Sequence, residues 1–178
     1  MFAAGFEIVE GVFTTDECEE IIAVLDHKIS LLESRAGARN LMRDPLISKI
    51  AADERLLSIT ERAFDRPLVP FKATLFQKTG KANWLVAWHQ DTALPVERIP
   101  SGDGWGPSSV KNRINFVHAP TEALSKVLAL RIHLDASTHT NGPLRVIPGS
   151  HKKRLIDDGE FGEWTRREAV TCCVGKEA

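Results

Sequence analysis

The hydrophobic positions of this chain change from a helical to an alternating spacing near residue 67. Before that point, Thr14 and Glu17 form a capping box, which is a local signal for the start of a helix. Aliphatic residues then recur at helical spacing along one stripe: Ile21, Ile22, Leu25, Ile29 and Leu32. We expect this first helix to pack on a sheet.

A second helical region follows a polar, glycine-containing stretch at residues 34–40, which predicts a loop. Asp44-Pro45 predicts a helix start, because Asp is a favourable N-cap and Pro is tolerated at the first helical position. The apolar residues that follow indicate a second helix, either continuous or broken: Leu46, Ile50, Leu56, Leu57 and Phe64.

Residues 67–178 read as short strands separated by turns rich in Gly and Pro, the pattern of an antiparallel barrel or sandwich. We expect strands near residues 69–77, 84–91, 127–135, 143–147 and 168–174. The chain is therefore interpreted as a single α+β domain, with a helical part at 1–66 and a β part at 67–178.

Two segments of the β part suggest a site. In residues 128–135, alternate leucines and Ile132 form a core face, and the opposite face, with Arg131 and His133, points either to solvent or into a polar lumen. Residues 100–109 are too rich in Gly and Pro for a strand or helix. Trp105 in that loop favours a binding lid over a disordered connector.

Composition narrows the class of function. A chain of 178 residues with 43% hydrophobic and 26% charged residues fits one ordinary globular domain. Its net charge of −1, with basic residues spread along the chain, gives no footprint for nucleic acid or an anionic membrane. The chain shows neither a signal sequence nor a membrane span, so we expect a cytosolic protein with a small-molecule partner. The odd number of cysteines predicts reduced thiols: Cys18, Cys172 and Cys173.

Two His-x-Asp triplets carry candidate metal chemistry. His89 and Asp91 lie two residues apart at the end of an expected strand, so both side chains would share a face and could bind one ion. They would be two of the three ligands of a 2-His-1-carboxylate site for non-heme Fe(II). His133 and Asp135 form a second such triplet, and the spacing alone does not choose between the pairs.

The sequence WHQDT at residues 88–92, followed by NGPLRVIPGSH at residues 141–151, resembles the metal motif and downstream signature of the phytanoyl-CoA dioxygenase family. Further similarity at residues 104–107 and 130–135 extends the resemblance over most of residues 5–178. It implies a double-stranded β-helix, the cupin-like jelly roll, with N-terminal helices packed on the sheet. It also implies an oxygenase that uses Fe(II), 2-oxoglutarate and O₂ to hydroxylate a small organic substrate.

The resemblance assigns roles to individual residues. His89 and Asp91 would be iron ligands and catalytic residues. Lys78 matches a position near the cosubstrate 2-oxoglutarate, with a solvated lysine at a strand end as the alternative. Arg131 would face the lumen and contact a carboxylate. Trp88 and Trp105 would line the substrate pocket.

By the same resemblance, the distal histidine, the 2-oxoglutarate arginine and the last strands would come after Ala178. Two ligands hold Fe(II) weakly, so we consider three explanations. The chain is a fragment or truncated product, which we favour; or it is a shortened relative whose open sheet edge is covered in an oligomer; or a substitute ligand is recruited from among His118, His133, His139 and His151. The alternative function is a non-catalytic, cupin-like protein that binds a small molecule or forms oligomers, with a vestigial metal site. A second alternative is a metal site of His89, Asp91 and His133 that needs no cosubstrate.

Overall fold

Short helices and small antiparallel sheets make up the fold. The computed structural model describes residues 2–31, 37–77 and 86–175. Its α-helices are α1 (Thr15–Leu31), α2 (Pro45–Ala51), α3 (Glu54–Phe64), α4 (Thr121–Leu124) and α5 (Asp158–Trp164). Its strands are β1 (Gly37–Arg39), β2 (Thr74–Phe76), β3 (Ala93–Val96), β4 (Ser108–Lys111), β5 (Ile114–His118), β6 (Leu144–Val146) and β7 (Val170–Cys172).

The N-terminal helices begin where the capping signals predicted. The Thr14 backbone N–H donates to Glu17 Oε2 at 2.8 Å, and the Glu17 N–H donates to Thr14 Oγ1 at 3.2 Å, which completes the capping box of α1. The Leu46 N–H donates to Asp44 Oδ1 at 3.0 Å at the start of α2. Asp53 caps α3, so the second helical region is broken in two.

The hydrophobic core joins the helical part to the β part. Phe13, Cys18 and Leu56 are buried together, and Ile132 and Leu134 pack against them from the later half of the chain. Val12 and Ile50 complete this cluster. The predicted core face of residues 128–135 is thus confirmed at Ile132 and Leu134, and it is wrong at Leu130, which is exposed. The segment that carries them is not a strand. Contrary to the prediction, α1 therefore does not pack on a regular sheet in this cluster.

The strands form three antiparallel sheets in the described part of the chain. β1 pairs with β2, β5 lies between β3 and β4, and β6 pairs with β7. A single bridge between Ser137 and Val174 extends the pairing beside β7. The predicted strands at 69–77, 143–147 and 168–174 are confirmed by the shorter strands β2, β6 and β7.

Two of the predicted strands are wrong. Residues 86–91 and 127–135 are not strands, although residues 84 and 85 of the first prediction lie outside the described residues. Alternating side chains indicate which way residues face, whereas a strand also requires a hydrogen-bonded neighbour. The predicted loops at 34–40 and 100–109 are partly wrong as well, because residues 37–39 form β1 and residues 108 and 109 begin β4.

Two further expectations can be compared with the described residues. Across 2–31, 37–77 and 86–175, no helix combines the length and apolar character needed to cross a membrane. None of the three cysteines is in a disulfide, as predicted.

Candidate functional site

The predicted metal motif lies on a segment without regular secondary structure that leads into β3. His89 and Asp91 are both exposed on this segment. The His89 Nδ1 lies 2.8 Å from the carbonyl oxygen of Ala87, a contact in which Nδ1 carries the proton and donates. The proton on Nδ1 leaves the Nε2 lone pair available, which is the tautomer that a metal-binding histidine with an oriented ring requires.

A cleft of about 680 Å³ opens beside His89. Three neighbours of His89 along the chain, Trp88, Gln90 and Thr92, also line it, whereas Asp91 is not part of the lining. The remaining lining residues are Gly104, Gly106, Pro107, His118, Ala119, Leu155, Ile156, Asp157, Asp158 and Phe161. The two predicted ligands therefore do not both face this cleft, as they would if the segment were a regular strand.

One wall of the cleft is the end of the 100–107 loop, held against β5. The Gly106 N–H donates to the His118 carbonyl oxygen at 2.8 Å, and the His118 N–H donates to that of Pro107 at 3.1 Å. A Cβ at Gly106 would lie 2.9 Å from the His118 Cβ, so a glycine is required for this close approach. Trp105 is half-buried between the lining residues Gly104 and Gly106 but does not itself line the cleft.

His118 is a cleft residue that the sequence identified merely as a candidate substitute ligand. Its Nδ1 lies 2.7 Å from the Thr92 hydroxyl, which joins the end of β5 to the segment that carries His89. The sequence could have indicated the place of His118 through the β4–β5 hairpin. Recognising that hairpin would have identified β5, and the pairing of β5 with β3 brings His118 opposite Ala93.

A second wall is formed by residues 155–158 and by Phe161 of α5. The Gln90 side chain connects this wall to the motif. Its Nε2 donates to the Arg154 carbonyl oxygen at 3.1 Å, and its Oε1 accepts from the Ile156 N–H at 2.9 Å. Sequence analysis assigned no role to Gln90, since a glutamine between two ligand-type residues gives no signal of so distant a partner.

Arg131, His133 and Cys172 form a separate electrostatic group, and none of them lines the cleft. Burial lowers the pKa of Arg131. Burial, followed by the nearby charge of Arg131, lowers the pKa of His133. Burial raises the pKa of the Cys172 thiol, an effect that the Arg131 charge opposes. Arg131 still has an exposed surface, so its guanidinium is partly hydrated without an anionic partner.

Two further residues had been predicted to contribute to the site, Trp88 and Lys78. Trp88 lines the cleft, and the Arg145 guanidinium lies 5.1 Å from the centroid of a Trp88 ring. Lys78 lies outside the described residues.

Comparison with known families decides the broader assignment. A sequence model of the phytanoyl-CoA dioxygenase (PhyH) family matches residues 3–176. This chain belongs to the phytanoyl-CoA dioxygenase family. Membership indicates an enzyme of the dioxygenase type, in a family that generally depends on Fe(II) and 2-oxoglutarate. No curated protein and no solved structure matches the chain.

For a member of the phytanoyl-CoA dioxygenase family, His89 and Asp91 have the donor chemistry of two iron ligands, an oriented imidazole and a carboxylate. Within the described ranges, no three His, Cys, Asp or Glu side chains are grouped so that they could hold a metal ion. The structure therefore does not bring a substitute histidine to His89 and Asp91. It also does not assemble the alternative site of His89, Asp91 and His133.

Proposed function

We propose that this protein is an Fe(II)- and 2-oxoglutarate-dependent dioxygenase that hydroxylates a small organic substrate in the cleft beside His89. The observation that carries the proposal is the orientation of the His89 imidazole at the edge of a cleft of about 680 Å³. Family membership supplies the reaction type. We further propose that the short antiparallel strands belong to a jelly-roll core.

In this proposal His89 Nε2 and the Asp91 carboxylate hold the iron. With 2-oxoglutarate and O₂, the iron supplies the oxidising power for hydroxylation of a C–H bond. The Ala87 carbonyl keeps the His89 ring in one orientation and raises its basicity as a ligand.

Arg131 and Lys78 are the proposed contacts of the 2-oxoglutarate carboxylate. The resemblance to the family supports both contacts, whereas Arg131 is exposed and does not line the cleft beside His89.

The substrate would lie between an aromatic and an aliphatic surface. Trp88 lines the cleft on the motif side, and Leu155, Ile156 and Phe161 supply further apolar lining. We propose that the loop carrying Trp105 excludes water from the bound substrate, since its end is already fixed on β5.

The second candidate is a non-catalytic protein that binds a small molecule in the same cleft. It is favoured by the absence of any three-donor group among residues 2–31, 37–77 and 86–175. In that case ligand binding would persist in His89→Ala.

Metal binding separates the two candidates. Anaerobic titration with Mn(II), followed by electron paramagnetic resonance, should show a bound ion whose affinity falls more than tenfold in His89→Ala and in Asp91→Ala. His139→Ala is the matched control, because His139 is exposed and lines a different pocket. With Fe(II) and O₂, the wild-type protein should also convert 2-oxoglutarate to succinate. Equal Mn(II) affinity in the wild type and His89→Ala would refute the proposed ligand role.

A further inference from the structure

We infer that Gln90 is a positioning residue that holds the cleft wall of residues 155–158 against the segment carrying His89. The inference rests on the proposed function, because it treats the cleft as the substrate site. Gln90 stands between the two proposed iron ligands, yet its amide bonds to the backbone of residues 154 and 156.

The two hydrogen bonds join a single side-chain amide to the backbone on either side of Leu155. The amide donates to the Arg154 carbonyl at 3.1 Å and accepts from the Ile156 N–H at 2.9 Å, so one planar group meets two backbone polar groups of a segment that bends at residues 153–155. A primary amide offers a donor and an acceptor on the same head. A carboxylate keeps the acceptor and loses the donor, and a thioether of similar length loses both.

These bonds fix the apolar wall. The residue between the two bonded positions is Leu155, which lines the cleft with Ile156. The wall then continues into α5, where Phe161 also lines the cleft. An ion pair of 2.8 Å between Lys153 and Glu160 ties the segment to α5, so the segment and the helix should move together when Gln90 releases them.

His89 has an orienting contact of its own. Its ring is held by the Ala87 carbonyl, a contact that does not involve Gln90. Loss of the Gln90 bonds should therefore open the wall and weaken apolar ligands far more than it weakens the metal. That separation distinguishes a residue that positions the wall from one that supports the metal.

The test uses the full chain with Gln90→Met, which removes both hydrogen bonds, and Gln90→Glu, which removes one. Gln77→Met is the matched control, because the Gln77 amide donates to Asp26 Oδ1 at 3.3 Å and does not line the cleft. Three quantities are measured: amide hydrogen exchange of peptides spanning 154–158, binding of the neutral dye Nile red, and Mn(II) affinity.

The net free energy of two hydrogen bonds corresponds to an increase of about tenfold to a hundredfold in the hydrogen-exchange rate at the Ile156 amide of Gln90→Met. We expect a smaller increase in Gln90→Glu and none in Gln77→Met. Nile red affinity should fall in the same order, and the loss of Mn(II) affinity in Gln90→Met should stay well below that of His89→Ala.

Unchanged exchange or dye binding in Gln90→Met would overturn the inference. A loss of Mn(II) affinity as large as that in His89→Ala would overturn it too, since Gln90 would then act on the metal site. If the wild type binds no Mn(II), the proposed function fails, and the exchange and dye measurements still decide whether Gln90 positions the wall.

Discussion

The Gly5 backbone makes room for His151 in the turn that follows β6. Gly5 has a φ of +88°, and the neighbouring Ala4 carbonyl accepts from the Gly149 N–H at 2.9 Å. The His151 ring occupies the position where a Cβ of residue 5 would stand, with its Cγ 2.7 Å away. The histidine of the PGSH sequence therefore has a structural contact with the N-terminal segment.

Gly5→Ala should lower the free energy of unfolding by about 2 kcal/mol or more, through left-handed strain and displacement of the His151 ring. Gly11→Ala is the control, because Gly11 has a φ of +70° with no atom within 4 Å, so its cost should be strain alone, about 1–2 kcal/mol. Urea denaturation measures both. In the double variant with His151→Ala, the excess cost of Gly5→Ala should disappear, and equal costs for the two glycines would contradict the assignment.

Sequence analysis could propose individual site residues where ligand-type side chains lie close together in the sequence. His89 was singled out because an imidazole two residues from a carboxylate is a recognisable ligand pattern; the structure places it at the cleft, and its role as an iron ligand is a proposal. The contacts of Gln90 and His118 at the cleft were not predicted, because each side chain bonds a partner far along the chain. Gln90 bonds the backbone of residues 154 and 156, and His118 bonds Thr92. Such pairings follow from the fold and have no counterpart in the spacing of side chains.

At the scale of elements, the N-terminal helices were predicted, whereas α4, α5 and the sheet of β3, β4 and β5 were not. Helix starts depend on contacts three residues apart, such as Thr14 with Glu17, which the sequence displays directly. Strand limits depend on partners, as in the β4–β5 hairpin, where Lys111 pairs with Ile114 around Asn112 and Arg113. Both turn residues have positive φ, 50° and 63°, and an arginine in the second position hides the usual Asn-Gly signal of such a turn.

Arg113→Gly should stabilise the protein by about 0.5–1 kcal/mol, because release of left-handed strain exceeds the added entropy of the unfolded chain. Arg98→Gly provides the comparison, since Arg98 is also exposed but is not among the described residues with positive φ. That variant should lose about 0.5–1 kcal/mol. Thermal and urea unfolding would measure both changes, and a destabilising Arg113→Gly would show that the arginine side chain itself supports the hairpin.

A charged cluster joins the starts of α1 and α3. The Arg55 guanidinium bonds Glu17 at 2.9 Å and Asp53 at 2.8 Å, and it lies 4.4 Å from the centroid of the Phe13 ring. Hydrogen bonds from Arg55 are the main cause that lowers the pKa of Glu17 from 4.5 to about 2. They likewise lower the pKa of Asp53 from 3.8 to about 2.

Because both carboxyl groups have a lower pKa when folded, their contribution to stability is complete above about pH 4.5 and is lost as the pH falls towards about 2. Arg55→Met should flatten this acid limb in urea denaturation, whereas Arg62→Met, in the last turn of the same helix, should leave it in place. High salt should weaken the effect because the groups are exposed. An acid limb equally steep in Arg55→Met would contradict the assignment.

At the scale of the whole molecule, the sequence predicted helices followed by an antiparallel β part. Three helices do precede most of the strands, but β1 lies among those helices and α4 and α5 lie among the strands. The sequence did not predict how the two parts meet. The core contact of Ile132 and Leu134 with Phe13, Cys18 and Leu56 depends on packing between segments at least 76 residues apart. We propose that this contact makes the chain one cooperative domain.

Two buried thiols can test that cooperativity, because one lies in each part. Cys18 of α1 is 0% exposed and Cys172 of β7 is 6% exposed, while Cys173 is half-buried. In Cys173→Ser, alkylation of Cys18 and of Cys172, read separately by mass spectrometry, should require the same free energy of opening and show the same dependence on urea. This follows because a single cooperative domain exposes both thiols in one transition, and the raised pKa of Cys172 affects its chemical rate without changing that dependence. If Cys172 were labelled at lower urea concentration with a shallower dependence, the β part would open by itself, and the contact through Ile132 and Leu134 would not couple the two parts.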